Sequence, residues 1–381
     1  MTLPFLGYTL PKLDTGRRQN VWIACCRLLK ARMALRFPKS LWTSAFQRTL
    51  GAMTRATLRA STKALVKAVR PVAKAALKPI KAIQPVKQVK PVREPVKPPP
   101  VASDWVLGMA VAGAVARRYR LYKPPTILPL ERLPLLVMLH GCQQDANDMA
   151  LSTRMNRLAA SERFLVIYPD QDRIANPQRC WNWYDTRNGR AQAEAAAIMA
   201  AVDQVSTLYP VDPARIAVAG LSAGASMAAL LATRYPQRFR AVAMHSGVPP
   251  GAANSTASAL ASMRGRGSST PLEIVGLPPL LVIHGSADPV VDLKNGLATV
   301  ELWAVAAGAR ATTPRQVQRG NRYPMTVTDY RHRRKVVASL CEISGLAHAW
   351  SGGAAGESFT DVNGPDASRL VWSFAKRQFG R

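Results

Sequence analysis

From about residue 117 the chain alternates short, continuous apolar runs with longer segments whose apolar positions recur every three to four residues. The first pattern predicts strands buried on both faces and the second predicts amphipathic helices. Strands are expected over 118–122, 135–139, 164–168, 215–219, 241–244, 280–283 and 336–343, and helices over 145–161, 191–208, 223–235 and 292–307. Strand and helix in turn imply an α/β fold: a mostly parallel sheet with helices on both faces. In such a sheet, ligands bind beyond the carboxyl ends of the strands.

Upstream of residue 101 the pattern changes. Over 59–84, Lys63, Lys67, Arg70, Lys74, Lys78 and Lys81 recur at spacings of three and four, with Leu65, Val66, Val69, Leu77, Ile80 and Ile83 on another face. This is a cationic amphipathic helix pattern that Pro71 and Pro79 divide. Residues 85–100 alternate Pro with Lys, Val and Arg, which predicts an extended spacer. The expected organisation is therefore a basic arm over 1–84, a linker over 85–100 and a folded domain over 101–381.

Charge sharpens that division. The chain carries 52 Lys and Arg against 22 Asp and Glu, and 21 of those bases lie in the first hundred residues, opposed there by Asp14 and Glu94 alone. An arm of this kind suits a granule surface or nucleic acid, or is a solvated basic tail with no partner. No stretch reaches the roughly 18 apolar residues that a membrane-spanning helix needs; the longest candidate runs from Trp105 to Ala116. The start lacks the order basic, apolar, small-residue cleavage site, so export by the general secretory route is not expected. The five cysteines lack the repeated spacing of a zinc site. Adjacent Cys25 and Cys26 read as reduced thiols, whereas Cys142 and Cys180 both fall near the expected site rim and are candidates for a bridge.

Gly220-Leu221-Ser222-Ala223-Gly224 lies between a strand run and a helix run. A G-x-S-x-G turn this sharp tolerates only small neighbours and holds the serine hydroxyl above the sheet edge, which makes Ser222 the candidate nucleophile. A serine nucleophile needs a base and a carboxylate to orient that base. Among five histidines, His348 lies in a glycine-rich loop after the last strand and is the best base. His284 and His245, each just after a strand, read as structural groups, and His332 as a solvated basic edge. Asp288 follows a buried strand and is held extended by Pro289, with Asp292, a candidate helix cap, as the alternative. For the oxyanion, the backbone N–H groups of Ala223 and Cys142 are the expected donors, with His140 shaping the turn.

Five segments carry a wider resemblance: Leu139-His140-Gly141-Cys142, Cys180-Trp181-Asn182-Trp183, the Ser222 pentapeptide, His284-Gly285-Ser286-Ala287-Asp288 and Gly345-Leu346-Ala347-His348-Ala349-Trp350. In this order and spacing, over about 117–375, they resemble the catalytic domain of the polyhydroxybutyrate depolymerase family, relatives of feruloyl and acetylxylan esterases. The resemblance implies an α/β-hydrolase fold, no metal or organic cofactor, a Ser222, Asp288, His348 triad, and Trp181, Trp183 and Trp350 as walls of the substrate cleft. It implies a serine esterase acting on poly(3-hydroxybutyrate) or its oligomers, or on feruloyl or acetylxylan esters; from another class, the chain reads as a granule- or DNA-binding protein with a passive hydrolase body. The basic arm, with neither a signal peptide nor a downstream polymer-binding module in evidence, resembles the granule-associated members. A cytoplasmic location is therefore expected, with an extracellular one as the alternative.

Overall fold

The computed structural model describes residues 104–267, 274 and 276–380. The basic arm, the proline-rich linker, Cys25 and Cys26 lie outside the described residues. Strands β2 (Val115–Tyr122), β3 (Leu133–Leu139), β4 (Leu165–Pro169), β5 (Val211–Leu221), β6 (Ala241–His245), β7 (Leu280–Gly285) and β11 (Lys335–Ile343) coincide with the seven expected runs. The remaining strands of the main sheet are β1 (Trp105–Ala112), β8 (Arg310–Ala311), β9 (Arg315–Val317) and β10 (Met325–His332). The order is β1-β2-β4-β3-β5-β6-β7-β11-β10-β8, with β9 also paired to β10. From β4 to β11 every neighbouring pair is parallel, and antiparallel pairs close both ends.

Every residue of β3 is buried, because both faces of the central strands are covered. Successive side chains along each strand enter opposite layers. Leu135, Val137, Val218, Val242 and Val282 pack with α3 (Arg190–Leu208), α4 (Ala223–Arg234) and α6 (Lys294–Ala306). Leu136, Met138, Ala219, Ala243 and Ile283 pack with α1 (Ala146–Thr153), α2 (Met155–Glu162) and α7 (Ala367–Phe379). A further helix, α5 (Thr256–Met263), precedes β7, and β12 (Trp350–Ser351) pairs with β13 (Thr360–Asp361) in a separate small sheet.

Two differences from the expected elements have local causes. The single helix expected over 145–161 is two, parted at Arg154, which adopts a left-handed conformation (φ 54°). The Thr153 hydroxyl donates to the Met149 carbonyl and accepts from the Met155 N–H, and the Arg154 guanidinium reaches the Gly352 carbonyl, a partner distant in sequence. The apolar run that begins at Trp105 is an edge strand, turned at Gly113 (φ 56°) into β2, with Leu107, Met109 and Val111 facing outward. Among the described residues no helix is long and apolar enough to cross a membrane.

Candidate active site

Strands β5, β6, β7 and β11 are consecutive and parallel, so their carboxyl ends open on one edge. Ser222 follows β5, Asp288 lies three residues past the end of β7, and His348 lies five past the end of β11.

Ser222 holds φ 55° and ψ −119°, a conformation outside both helix and strand, as the chain turns from β5 into α4. Its N–H donates to the His245 carbonyl (2.9 Å) and its carbonyl accepts from the Ser226 N–H (3.1 Å), so both backbone groups are fixed. Although Ser222 occupies the N-cap position of α4, its hydroxyl makes no capping bond. The flanking glycines are sterically required. A Cβ on Gly220 would lie 2.3 Å from the Gly224 backbone, and one on Gly224 would lie 2.2 Å from the Leu139 carbonyl oxygen.

His348 Nδ1 donates to Asp288 Oδ2 at 2.8 Å. The other carboxylate oxygen accepts the N–H groups of Val290 and Val291, each at 2.9 Å. Burial works to raise the Asp288 pKa, but the bond to His348, the imidazole charge and the two backbone donors outweigh it and hold the carboxyl down at about 2. The two loops are also tied through their backbones: the Ala287 N–H donates to the Leu346 carbonyl (3.1 Å), and the Gly345 N–H to the Ser286 hydroxyl (2.9 Å). Gly285 is glycine because a Cβ there would lie 2.0 Å from that same Leu346 oxygen.

The other histidines are structural. His245 Nε2 accepts the Ser351 N–H (3.2 Å), so its proton is on Nδ1, facing the Ser246 hydroxyl. Burial, reinforced by His284 and His348, pushes its pKa down to about 3. His284 donates from Nε2 to the Val291 carbonyl (2.8 Å) and lies 3.6 Å from Asp288 Oδ2. His332 is exposed, against the Gly308 carbonyl. Asp292 caps the approach to α6 by accepting the Lys294 N–H, and makes no bond to His348.

His140 shapes the turn after β3. Its Nε2 accepts the Gln171 N–H (3.0 Å), which leaves the proton on Nδ1 to donate to the Gly141 carbonyl (2.8 Å). Burial is the main reason its pKa is pushed down to about 4. A trans peptide points its C=O and the following N–H in opposite directions. Pinning the Gly141 carbonyl therefore turns the Cys142 N–H the other way, and a Cβ on Gly141 would lie 3.6 Å from Ser222 Cβ. Among the described residues, neither the Cys142 nor the Ala223 N–H has an acceptor. Cys142 and Cys180 form a disulfide across 38 residues, as the rim positions suggested, and the Gln143 N–H donates to the Gln178 carbonyl beside it (2.7 Å).

Two tryptophans expected in the cleft wall lie behind it. Trp181 has no exposed surface; it packs on His140 (5.3 Å) and donates to the His140 carbonyl. Trp350 is 1% exposed, stacks on His245 and donates to the Ser368 hydroxyl. Both back a histidine and offer a substrate no surface; Trp183, 8% exposed and edge-on to Tyr184, retains a little. A buried polar network missed from the sequence holds the Trp181 segment: Glu194 accepts from Asn182 and Gln171, and Arg117 donates to Gln171 and lies over the Trp181 ring. A lone carboxylate inside the alanine-rich run of α3 was the available signal.

The family model described as Esterase PHB depolymerase matches residues 117–313, just over half of the chain. The chain belongs to this family. Its curated relatives are of more than one kind. Poly(3-hydroxyalkanoate) depolymerase C of Paucimonas lemoignei is 35% identical over 181 residues, 44% of each chain. Acetylxylan esterase A of Emericella nidulans is 28% identical over 205 residues, 48% of this chain and 66% of that one. This family member thus spans 44% to 66% of the length of these relatives. The solved acetyl xylan esterase from Aspergillus awamori superposes with a TM-score of 0.50 at 19% identity, covering 61% of this chain and 89% of that one. The shared architecture is the α/β-hydrolase fold.

Proposed function

We propose that the protein is a serine esterase that cleaves carboxylic esters through an acyl-enzyme. The observation that carries this reading is the His348–Asp288 pair on the sheet edge where Ser222 is held in a strained turn with its hydroxyl unused by the helix. In this reading His348 takes the Ser222 proton as the oxygen attacks the ester carbonyl, and the Cys142 and Ala223 N–H groups receive the developing oxyanion. Ala223 adds the positive end of α4. His348 then returns the proton to the leaving alcohol, and water, activated the same way, releases the acid. Asp288 holds the Nδ1–H tautomer and stabilises the imidazolium.

The favoured substrate is poly(3-hydroxybutyrate) or its oligomers, supported by the family match and by the depolymerase of Paucimonas lemoignei. Feruloyl and acetylxylan esters form the second reading, supported by the acetylxylan esterase of Emericella nidulans and the feruloyl esterase B of Neurospora crassa. Trp183 is the tryptophan proposed to touch substrate. The Cys142–Cys180 bridge supports an oxidising compartment over the cytoplasmic location first expected. The test is twofold. A fluorophosphonate should add one mass label, on the peptide bearing Ser222, and release of 3-hydroxybutyrate should exceed release of ferulate or acetate from matched substrates. An unlabelled Ser222 sinks the esterase reading, and faster ferulate or acetate release sinks the polyester one.

The bridge has its own expected effect. It closes a loop of 38 residues, a constraint worth about 4 kcal/mol in the chain-entropy account, and it anchors a proposed oxyanion donor. Removing such a donor outright costs about 10²- to 10³-fold in kcat. Cys180→Ser leaves the donor present but loosened, so kcat for p-nitrophenyl butyrate should fall about 10- to 100-fold with a smaller change in KM. Unchanged kcat after reduction with dithiothreitol, with free thiols confirmed, would show that the bridge does not position the amide.

A further inference from the structure

A cleft of about 480 Å³ opens between α7 and the sheet face formed by β9, β10 and β11, and none of Ser222, Asp288 and His348 lines it. Its floor is apolar, built from Val317, Met325, Val327, Cys341 and Phe374. Five arginines stand around that floor: Arg315, Arg319, Arg322, Arg369 and Arg377. Two aspartates oppose them. Asp329 lies 3.9 Å from Arg315 and 3.5 Å from Arg331, and Asp366 lies 3.5 Å from Arg369. Arg322 is spent on the Gly364 and Val362 carbonyls. Among the described residues Arg319 and Arg377 pair with no carboxylate, and Arg377 lies over the Phe374 ring, 5.9 Å from its centroid.

We propose that this cleft binds a small amphiphilic anion: a carboxylate, gripped by Arg319 and Arg377, on an aliphatic chain laid along the Val317–Val327 floor. The planar guanidinium fork matches a carboxylate with two parallel donors, and two unpaired forks above an apolar floor ask for a ligand with one charged end and one oily end. The volume is that of a small-ligand pocket. Of the floor residues, Met325, Val327, Cys341 and Phe374 are each 5% exposed or less, so the proposed binding requires the flexible arginine stems around them to swing outward as the chain enters. The site does not depend on the esterase reading, since it needs nothing from Ser222.

Titration calorimetry of the full-length protein with sodium octanoate at low salt tests this. One octanoate per chain is expected, bound at least tenfold more weakly by the Arg319→Gln, Arg377→Gln double variant, with turnover of p-nitrophenyl butyrate unchanged. Val317→Asp, which places a carboxylate in the floor at a partly exposed strand position, should abolish binding independently. Undiminished affinity in the double variant, or no saturable binding by the wild type, overturns the proposal. Inorganic phosphate binding as tightly as octanoate also overturns it, because the floor would then contribute nothing.

Discussion

Ser222→Ala should lower turnover of p-nitrophenyl butyrate by about 10⁴-fold or more while leaving the fold and its melting temperature nearly unchanged. The size follows from the proposed chemistry: without the hydroxyl there is no acyl-enzyme, and what is left is binding and the oxyanion amides. That stability should be preserved follows from the backbone. The N–H of residue 222 keeps the His245 carbonyl, its C=O keeps the Ser226 N–H, and the hydroxyl made no capping bond to lose. The main chain at φ 55° is set by Gly220 and Gly224 packing against each other and against Leu139, and alanine has the same Cβ as serine. A surface-type change of about 0.5 kcal/mol or less is therefore expected. Measuring kcat together with a circular-dichroism melt separates the two effects. Retention of more than a tenth of the wild-type rate would falsify the nucleophile assignment.

The core of the fold was legible because the central strands are buried on both faces. Such strands must be written as apolar runs, which β3 and β4 are throughout and β6 and β7 are up to His245 and His284. The strands at the β10 edge carry no such signal. Strand β10 reads Met-Thr-Val-Thr-Asp-Tyr-Arg-His, half apolar and half solvated, and β8 and β9 are too short to show a period. The break at Arg154 was hidden for another reason: neither glycine nor proline marks it, and its fixing contact is to Gly352, which only the folded chain brings near. At the site, chain order and strand ends favour Asp288 over Asp292, and Asp288 is the one that bonds His348, because the loop after a buried strand has a fixed place at the sheet edge. The tryptophans were beyond the sequence. Trp181 and Trp350 have the amphipathic build of a cleft wall, and what places each behind a histidine is packing between segments about 40 and 100 residues apart in the chain.

Asp288→Asn should cost about 10⁴-fold in kcat, although asparagine is nearly the same shape as the aspartate it replaces. The neighbours decide how the amide must lie. At the wild-type carboxylate, Oδ1 accepts two backbone N–H groups, from Val290 and Val291, and an NH₂ in that place would face two donors with no acceptor. The amide oxygen therefore keeps the Oδ1 position, and the NH₂ takes the position of Oδ2, 2.8 Å from His348 Nδ1. There it can only donate, so His348 has to accept at Nδ1 and carry its proton on Nε2. Nε2 is the atom that must take the Ser222 proton, so the base arrives already protonated. His284 cannot correct the tautomer, because its Nε2–H is committed to the Val291 carbonyl and also faces the new NH₂. The pH profile distinguishes this from general damage. The wild-type carboxylate, held at about 2, stays ionised throughout the neutral range, so no part of the loss between about pH 6 and 8 arises from titration of residue 288. At higher pH an imidazolate-assisted or hydroxide-assisted route should recover part of the rate. Kinetics of the variant across that range, with its melting temperature measured alongside, would show whether orientation of the imidazole is what Asp288 supplies; a loss of less than about tenfold would mean that it is not.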